Sequence, residues 1–455
     1  MNDDARRPNI LFIMDDQHRF DWLGCAGTEF LHTPNIDRLA ARGTRFTNCF
    51  TNSPVCSPAR VSLATGMMPH RLGPVGNSVY LPRDVPTHYQ YLRDEGMYRV
   101  GCCGKLDLVK TDGYNGKHGD RPRLFRWGFT HPIECEGKMH AGNHPEPRGP
   151  YGFWLREQGL YDSFHADYVS RSANDYALSC HDSVLPKDAF EDTYIGRRSA
   201  EWIRDIPDDF PWYMFVSFVG PHDPFDPPSE YADRYRDADM PVPIPHCPEN
   251  KPARYRARTT DPDKITETRR QYAGSITAID DAVGEIMAAL EARGELANTY
   301  VVFASDHGEM AGDHGLYTKS VPYEAAIHVP LIIAGPGLPE GKASDALVEL
   351  MDVNPTLVEL AGLPAQEGVE ARSLVPVLQG NESEHRDSIV TTIRSFECIR
   401  TERYKYVNNH GDIRELYDLQ EDPGELRNIC AESPDIARDL GMKLAQRLAA
   451  PNDVH

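Results

Sequence analysis

Two residue pairs in this chain, one of two acids and one of an acid and a histidine, sit where a sheet would present them to a ligand. Asp15-Asp16 directly follows the apolar run Asn9-Ile10-Leu11-Phe12-Ile13-Met14, and Asp306-His307 follows a second such run at 299–305. In open α/β sheets ligands gather beyond the carboxyl ends of the strands. Two strand ends 290 residues apart in sequence can therefore converge on one cation. Carboxylate oxygens with one imidazole suit a hard or borderline divalent ion such as Ca²⁺, Mg²⁺ or Mn²⁺. Taken singly, each pair is equally well explained as a helix cap or a strand end.

The segment from Pro54 to Gly66 adds a nucleophile. Ser57-Pro58 opens a helix, which places Cys56 at a helix N-terminus. There the dipole and the free N–H groups favour an anion. Arg60, one turn further in, brings a fixed positive charge to the same place. On the residues alone this is a reactive thiol beside an anion site, or an ordinary buried cysteine.

Cys56-x-Pro58-x-Arg60, followed by Ser62-Leu63-x-Thr65-Gly66, resembles the signature of the type I, formylglycine-dependent sulfatases of the alkaline phosphatase superfamily. The resemblance runs on in order through Pro8-Asn9-Ile10-Leu11, Thr33-Pro34-Asn35-Ile36, Pro221-His222-x-Pro224, Ser305-Asp306-His307-Gly308-Glu309, His314-Gly315-Leu316 with Lys319, and Glu415-Leu416-Tyr417-Asp418-Leu419. It implies one divalent metal ion, Ca²⁺ or Mn²⁺, held by Asp15, Asp16, Asp306, His307 and the residue made from Cys56. It implies that Cys56 becomes a Cα-formylglycine, installed by a formylglycine-generating enzyme, whose hydrated aldehyde supplies the nucleophilic hydroxyl. Arg60 would stabilise that hydrate. Lys105, His222 and Lys319 would surround the sulfate with Asn77, and His222 would protonate the leaving oxygen.

Two departures from the common family pattern stand out. His307 occupies a position where many members have Asn, which resembles choline-sulfatase-like enzymes and phosphonate monoester hydrolases. Asp107, in Gly104-Lys105-Leu106-Asp107, stands where the family commonly has histidine. Phosphonate monoester hydrolases replace the lysine by a neutral residue, and its retention here favours a sulfate monoester as substrate. Asp107 either pairs with Lys105, which would share its side of a strand, or contacts a hydroxyl or cationic group of the substrate, and the substrate contact is the reading preferred from the sequence. The leaving group itself (aryl, alkyl, choline or sugar) is not encoded in any motif. Alternative readings are a phosphonate monoester or phosphodiester hydrolase of the same superfamily, and a non-catalytic anion-binding protein, for which the full residue set has no use.

These residues need a sheet to position them. Apolar runs at 9–14, 98–103, 212–219, 299–305 and 330–334 read as strands buried on both faces, alternating with helical segments. Thr33-Pro34 reads as a helix start. Residues 262–293 read as one long helix with Ile276, Ile279, Val283, Ile286 and Leu290 on one face and Gly294 as its cap. Residues 107–190 are rich in Gly, Pro and His, and read as excursions over the active-site face rather than core; 221–262 read alike. His118, His140 and His144 read as loop or rim histidines, and Cys102 and Cys103 as core thiols. A helix at 352–362 precedes a change of character. Residues 387–393 and 396–408 read as a hairpin, and 433–449 as a terminal helix. The expected fold is α/β, a large mixed sheet sandwiched by helices, alkaline phosphatase-like by resemblance. The expected domains are 1–379, catalytic, and 380–455, a small α+β subdomain.

Composition sets outer bounds. The 455 residues are 40% hydrophobic, enough for a large core. A net charge of −21 opposes nucleic acid and anionic membrane surfaces. The chain shows no signal-like start and no apolar stretch near transmembrane length. Its ten cysteines are scattered, without a Cys-x-x-Cys pair. These features point to reduced thiols, a cytoplasmic location and a small-molecule substrate; a homo-oligomer is compatible with them.

Overall fold

The apolar run after Pro8 forms β1 (Asn9–Asp16), which is buried along its whole length. Its side chains alternate between two cores: Ile10, Phe12 and Met14 join one, Leu11 and Ile13 the other. A strand covered on both faces requires this. The computed structural model describes residues 7–73, 75–78, 80–110 and 113–449.

The sheet around β1 contains β2 (Gly43–Phe50), β3 (Arg99–Gly104), β4 (His131–Glu134), β5 (Trp212–Pro221), β6 (Thr299–Ser305), β7 (His328–Ala334), β8 (Lys342–Ser344) and β9 (Val348–Glu349). Their order is β4-β3-β5-β1-β6-β7-β2-β8, with β9 also paired to β2. From β4 to β6 the strands are parallel; β7 reverses, and β2 pairs antiparallel with it. The five expected strands all belong to this sheet. Helices Glu191–Asp205 and Pro262–Ala292 cover one face through Ile195, Ile203, Ile279, Val283, Ile286 and Leu290. Helices His88–Asp94 and Val353–Leu360 cover the other through Tyr89, Leu92, Leu357 and Val358. The result is a large mixed sheet between helices.

The long helix ends at Ala292 with Arg293 as its C-cap, and Gly294 follows with φ 74°, the left-handed residue such an end favours. The helix Pro34–Ala41 begins as expected, but the Thr33 side chain does not cap it. Asp280 of the long helix does so instead, accepting from the N–H groups of Asn35 and Ile36.

Residues 107–190 differ from the expectation. They contribute β4 and the helices Lys138–Asn143, Pro150–Glu157 and Tyr161–Ser172. Tyr151, Leu155, Tyr161, Phe164 and Tyr168 are buried in the same core as the long helix. The core here is aromatic and its helices are short, so no long apolar period reveals it. Residues 221–262 stay mainly irregular, apart from short turns at Ser229–Ala232 and Asp233–Tyr235.

The C-terminal region forms a separate antiparallel sheet, β10 (Ile389–Ile393), β11 (Phe396–Arg400), β12 (Tyr404–Asn409) and β13 (Glu415–Asp418), in that order. The stretch read as one hairpin arm, 396–408, is two strands that turn at 401–403. Helix Pro434–Ala449 packs on this sheet through Leu440 and Leu444 against Ile399, Tyr406 and Leu416. No described helix is long and apolar enough to cross a membrane.

Candidate active site

Four neighbouring parallel strands deliver polar groups at their carboxyl ends. In sheet order they are β3 with Lys105, β5 with Ser217 and His222, β1 with Asp15 and Asp16, and β6 with Asp306 and His307. β2 leads instead into the buried helix Cys56–Thr65, whose first residue is Cys56. Cys56 Sγ lies 3.2 Å from His307 Nε2 and 3.8 Å from Asp16 Oδ1. Ligand atoms of Asp16, Cys56, Asp306 and His307 all fall within 4.8 Å of one another, and all four residues are buried.

Asp15 stands beside this group. Its Oδ2 meets His18 Nδ1 at 2.5 Å, and its Oδ1 is buried without a partner. A buried carboxylate oxygen left without a donor is costly. Two close carboxylates, an imidazole and the Cys56 position form a donor set that fits one divalent cation, with the orphaned Asp15 oxygen on the neighbouring residue.

Arg60 is nearly saturated. Nε donates to Asp306 Oδ2 at 2.8 Å and Nη2 to Asp16 Oδ2 at 3.1 Å. Nη1 donates to the Lys105 carbonyl at 2.8 Å and to Ser217 Oγ at 2.7 Å. It therefore holds the two acids and the Lys105 backbone in place, a task the motif alone did not suggest.

Lys105 leaves the sheet at a glycine. Gly104 has φ 107°, and a Cβ there would come within 1.9 Å of the Ser217 carbonyl oxygen. Only glycine fits that approach. Lys105 Nζ then lies 2.5 Å from Asp16 Oδ2 and 3.2 Å from Asp107 Oδ2. The pairing with Asp107 arises from a turn, with Asp107 at φ 54°, and not from the shared strand face expected from the sequence. Asp107 Oδ2 also lies 2.8 Å from Lys110 Nζ. Arg60, Asp16, Lys105, Asp107 and Lys110 thus form a line of alternating charge.

His222 and Lys319 meet on the opposite side, with Nε2 and Nζ 2.6 Å apart. Lys319 also donates to Gln17 Oε1, and Gln17 Nε2 donates to Glu309 and, at 3.2 Å, to Asp223. Asn77 is exposed, and its Oδ1 accepts from the Ser57 N–H at 3.4 Å, directly over the Cys56 helix end.

The electrostatics follow from these contacts. Burial and Asp16 push the Cys56 thiol up, but Lys105, Lys110 and Lys319 together hold it well below the usual thiol range. Burial pushes Asp16 up, and Lys105, His222 and Arg60 outweigh it, holding the carboxyl well below the usual range. Asp306 stays raised by burial despite Arg60. Lys105 is held well above the usual range, because Asp107 and Asp16 outweigh its burial.

Of the residues singled out for the site, Asp16, Cys56, Asp306 and His307 come together, and Arg60, Lys105, Asp107, His222 and Lys319 lie in contact with one another or with these four. Asn77 meets Ser57, next to Cys56, while Asp15 is bonded to His18 and is not one of the four. Four others were missed. Lys110 lacks a motif and is signalled only by its three-residue spacing from Asp107; Gln17 and Asp223 adjoin site residues; Ser217 is hidden in an apolar strand. Outside it, the His140 and His144 rings are 6.2 Å apart, and Cys102 and Cys103 are free, buried strand thiols.

Comparison with known proteins places this arrangement in one class, the hydrolases of the alkaline phosphatase superfamily. A model of the Sulfatase family matches residues 8–363, and one described as N-sulphoglucosamine sulphohydrolase, C-terminal, matches residues 312–452. The chain belongs to the sulfatase family, and so to the sulfuric ester hydrolases. It is 31% identical to an arylsulfatase of Clostridium perfringens, over 93% of this chain and 90% of that one. It is also 31% identical to a choline-sulfatase of Rhizobium meliloti, over 94% and 83%. The crystal structure of a phosphonate monoester hydrolase of Agrobacterium radiobacter superimposes with a TM-score of 0.81 at 27% identity, covering 97% and 96% of the two chains.

Proposed function

We propose that this chain hydrolyses a sulfate monoester with a formylglycine nucleophile made from Cys56, beside one Ca²⁺ or Mn²⁺ ion held by Asp15, Asp16, Asp306, His307 and the modified residue. The observation that carries the reading is the surroundings of Cys56: a helix N-terminus, two acids and an imidazole meet at one buried residue, and the charge of Lys105, Lys110 and Lys319 holds its thiol low. The bound ion would supply Lewis acidity toward the sulfate oxygens and the nucleophile.

The protein's own groups do the rest. Arg60 fixes Asp16 and Asp306. Lys105 and Lys319 face the transferring group from two sides and spread its charge. His222 Nδ1 lies 2.6 Å from the Asp223 carbonyl oxygen, so that nitrogen carries the proton. Nε2 then accepts from Lys319, and the pair holds a proton ready for the departing oxygen. Asn77, beside the start of the Cys56 helix, would contact the ester. Asp107 holds Lys105 and Lys110.

Cys56 has no exposed surface in the fold. Its conversion by a formylglycine-generating enzyme would therefore precede folding. Ten free cysteines favour a cytoplasmic location. The division of the chain near residue 380 belongs to the same reading, supported by the self-contained sheet β10–β13.

A second reading, phosphonate monoester hydrolysis, is favoured by the 0.81 superposition. Sulfate and phosphonate monoesters compared on fully modified enzyme decide between them. A kcat/KM at least about tenfold higher for the sulfate ester, about 1.4 kcal/mol in barrier, supports the first reading; the reverse order supports the second.

A further inference from the structure

The segment that carries His222 is not held by its own strand. β5 ends at Pro221, and residues 222–228 have no regular structure. The segment is gripped from two sides instead. Upstream, Asp192 of helix Glu191–Asp205 accepts from the N–H groups of Val219 and Gly220 with one oxygen, at 2.9 and 3.0 Å. Downstream, Lys138 Nζ donates to the His222 carbonyl at 3.2 Å, the Pro224 carbonyl at 2.9 Å and Asp226 Oδ1 at 2.5 Å. The Tyr168 hydroxyl donates to the other Asp226 oxygen at 2.9 Å. Lys138 is 3% exposed and Asp226 1%.

An ammonium has three N–H donors, and here each meets one acceptor. Two of the acceptors are backbone carbonyls on either side of Asp223. The His222 backbone is therefore pinned at a point set by helix Lys138–Asn143, with Tyr168 of helix Tyr161–Ser172 locking Asp226. Both helices come from the 107–190 region. Without the ammonium, two carbonyls and one carboxylate oxygen, Asp226 Oδ1, would lose their buried donor, and the segment would have to move to find others.

The geometry points to Lys138 as a positioning residue for His222. It aims the imidazole so that Nε2 meets Lys319 at 2.6 Å, and it touches no reacting atom. The inference rests on the reading of the His222–Lys319 pair as proton donor to the leaving oxygen. It adds that the donor's aim is set outside the sheet, by a buried lysine of the 107–190 region.

A proton donor matters most when the leaving oxygen is basic. The test is Lys138→Met, assayed on 4-nitrophenyl sulfate, whose phenolate departs with little help, and on phenyl sulfate. We expect kcat to fall about 30-fold on phenyl sulfate and about 3-fold on 4-nitrophenyl sulfate, below the roughly 10²–10⁴-fold that a proton donor can contribute, with KM nearly unchanged. His222→Gln should show the same leaving-group pattern. Adding Lys138→Met to His222→Gln should cost no more than about a further 3-fold, since coupled residues are not additive. Tyr168→Phe removes one hydroxyl from the same lock and should show a weaker form of the same selectivity, which keeps the test open if Lys138→Met does not fold. Equal losses on both esters, or losses that multiply in the double variant, would overturn the inference. A His222→Gln variant without leaving-group dependence would overturn it too, by removing the donor. A fully modified wild-type enzyme that turns over no sulfate monoester, whether aryl, alkyl, choline or sugar, sinks the sulfatase reading and this inference together.

Discussion

Lys319 Nζ lies 2.6 Å from His222 Nε2, and the ring's other nitrogen donates to the Asp223 carbonyl. The ammonium is therefore the donor between them, and the two side chains act as one proton-holding unit. Lys319→Ala and His222→Ala should each lower kcat by roughly 10²–10³-fold, in the range for a lost acid–base group. The double variant should lose at most about 5-fold more than the worse single one, as expected for groups acting together. Steady-state kinetics on an unactivated aryl sulfate reads this directly. Independent, multiplying losses would separate the two roles.

Cys56 is the first residue of a wholly buried helix. Peptide mass spectrometry of active enzyme should find Cys56 lighter by about 18 Da, the change from thiol to aldehyde in an activated nucleophile position. Full activity in protein carrying only the unmodified cysteine would end the proposed mechanism. Cys56→Ser should keep the fold, because the two side chains differ little in volume, and should lose turnover.

Asp306 Oδ2 is bound by Arg60, and its Oδ1 accepts from the Gln17 and His307 N–H groups. Asp306→Ala should lose metal and activity together, since it removes a donor from the group around Cys56. Elemental analysis after exhaustive dialysis checks it. A variant that keeps one metal per chain would show that Asp306 is not a ligand. Chelation of the wild-type enzyme should abolish turnover, and Ca²⁺ or Mn²⁺ should restore it to different extents.

How much of this could be read from the chain depended on the physical signal. β1, β5 and β6 are apolar runs with acids or Pro-His at their ends, so both strand and site were legible. The long helix carries a full apolar period. The 107–190 region hid its core because its buried residues are tyrosines on short helices, interrupted by glycine and proline. Arg60's saturation by Asp16 and Asp306 was also hidden, since contacts between residues some 40 and 250 positions apart leave no local pattern. Lys138 gave no signal for the same reason: its three acceptors are supplied by a distant loop.

Burial pushes Asp192 up to about 6, against a usual value of 3.8, despite Lys138 and two backbone donors. Its Oδ2 is buried without a partner. A carboxyl raised by folding binds its proton more tightly in the native state. Between the unfolded value and about 6 the native state holds more protons, so stability falls as pH rises through that window. Asp192→Asn keeps an oxygen for the Val219 and Gly220 N–H groups and removes the charge. Its stability relative to wild type should therefore rise between pH 4 and pH 7, by on the order of 2 kcal/mol. Thermal unfolding across that range measures it. A difference independent of pH would show that Asp192 does not titrate there.

Asp107 is the residue whose position departs most from the common family pattern, and its contacts narrow its role. Its Oδ2 lies 3.2 Å from Lys105 and 2.8 Å from Lys110. Those two ammonium groups hold its carboxyl below the usual range against its burial. A carboxylate already shared by two lysines is poorly placed to read a substrate hydroxyl. Removing it has two opposed effects. A negative charge leaves the neighbourhood of an anion, so inorganic sulfate should bind tighter, by about 1–2 kcal/mol at an intermediate dielectric. Lys110 loses its tether and Lys105 keeps only Asp16, so the charge they bring to the transferring group is less well placed and kcat should fall. Asp107→Asn should therefore lower the inhibition constant for sulfate while lowering kcat about 10-fold on a plain aryl sulfate and on a polar sulfate ester alike. A loss of at least about 1–3 kcal/mol confined to the polar ester would instead make Asp107 a direct contact of the leaving group.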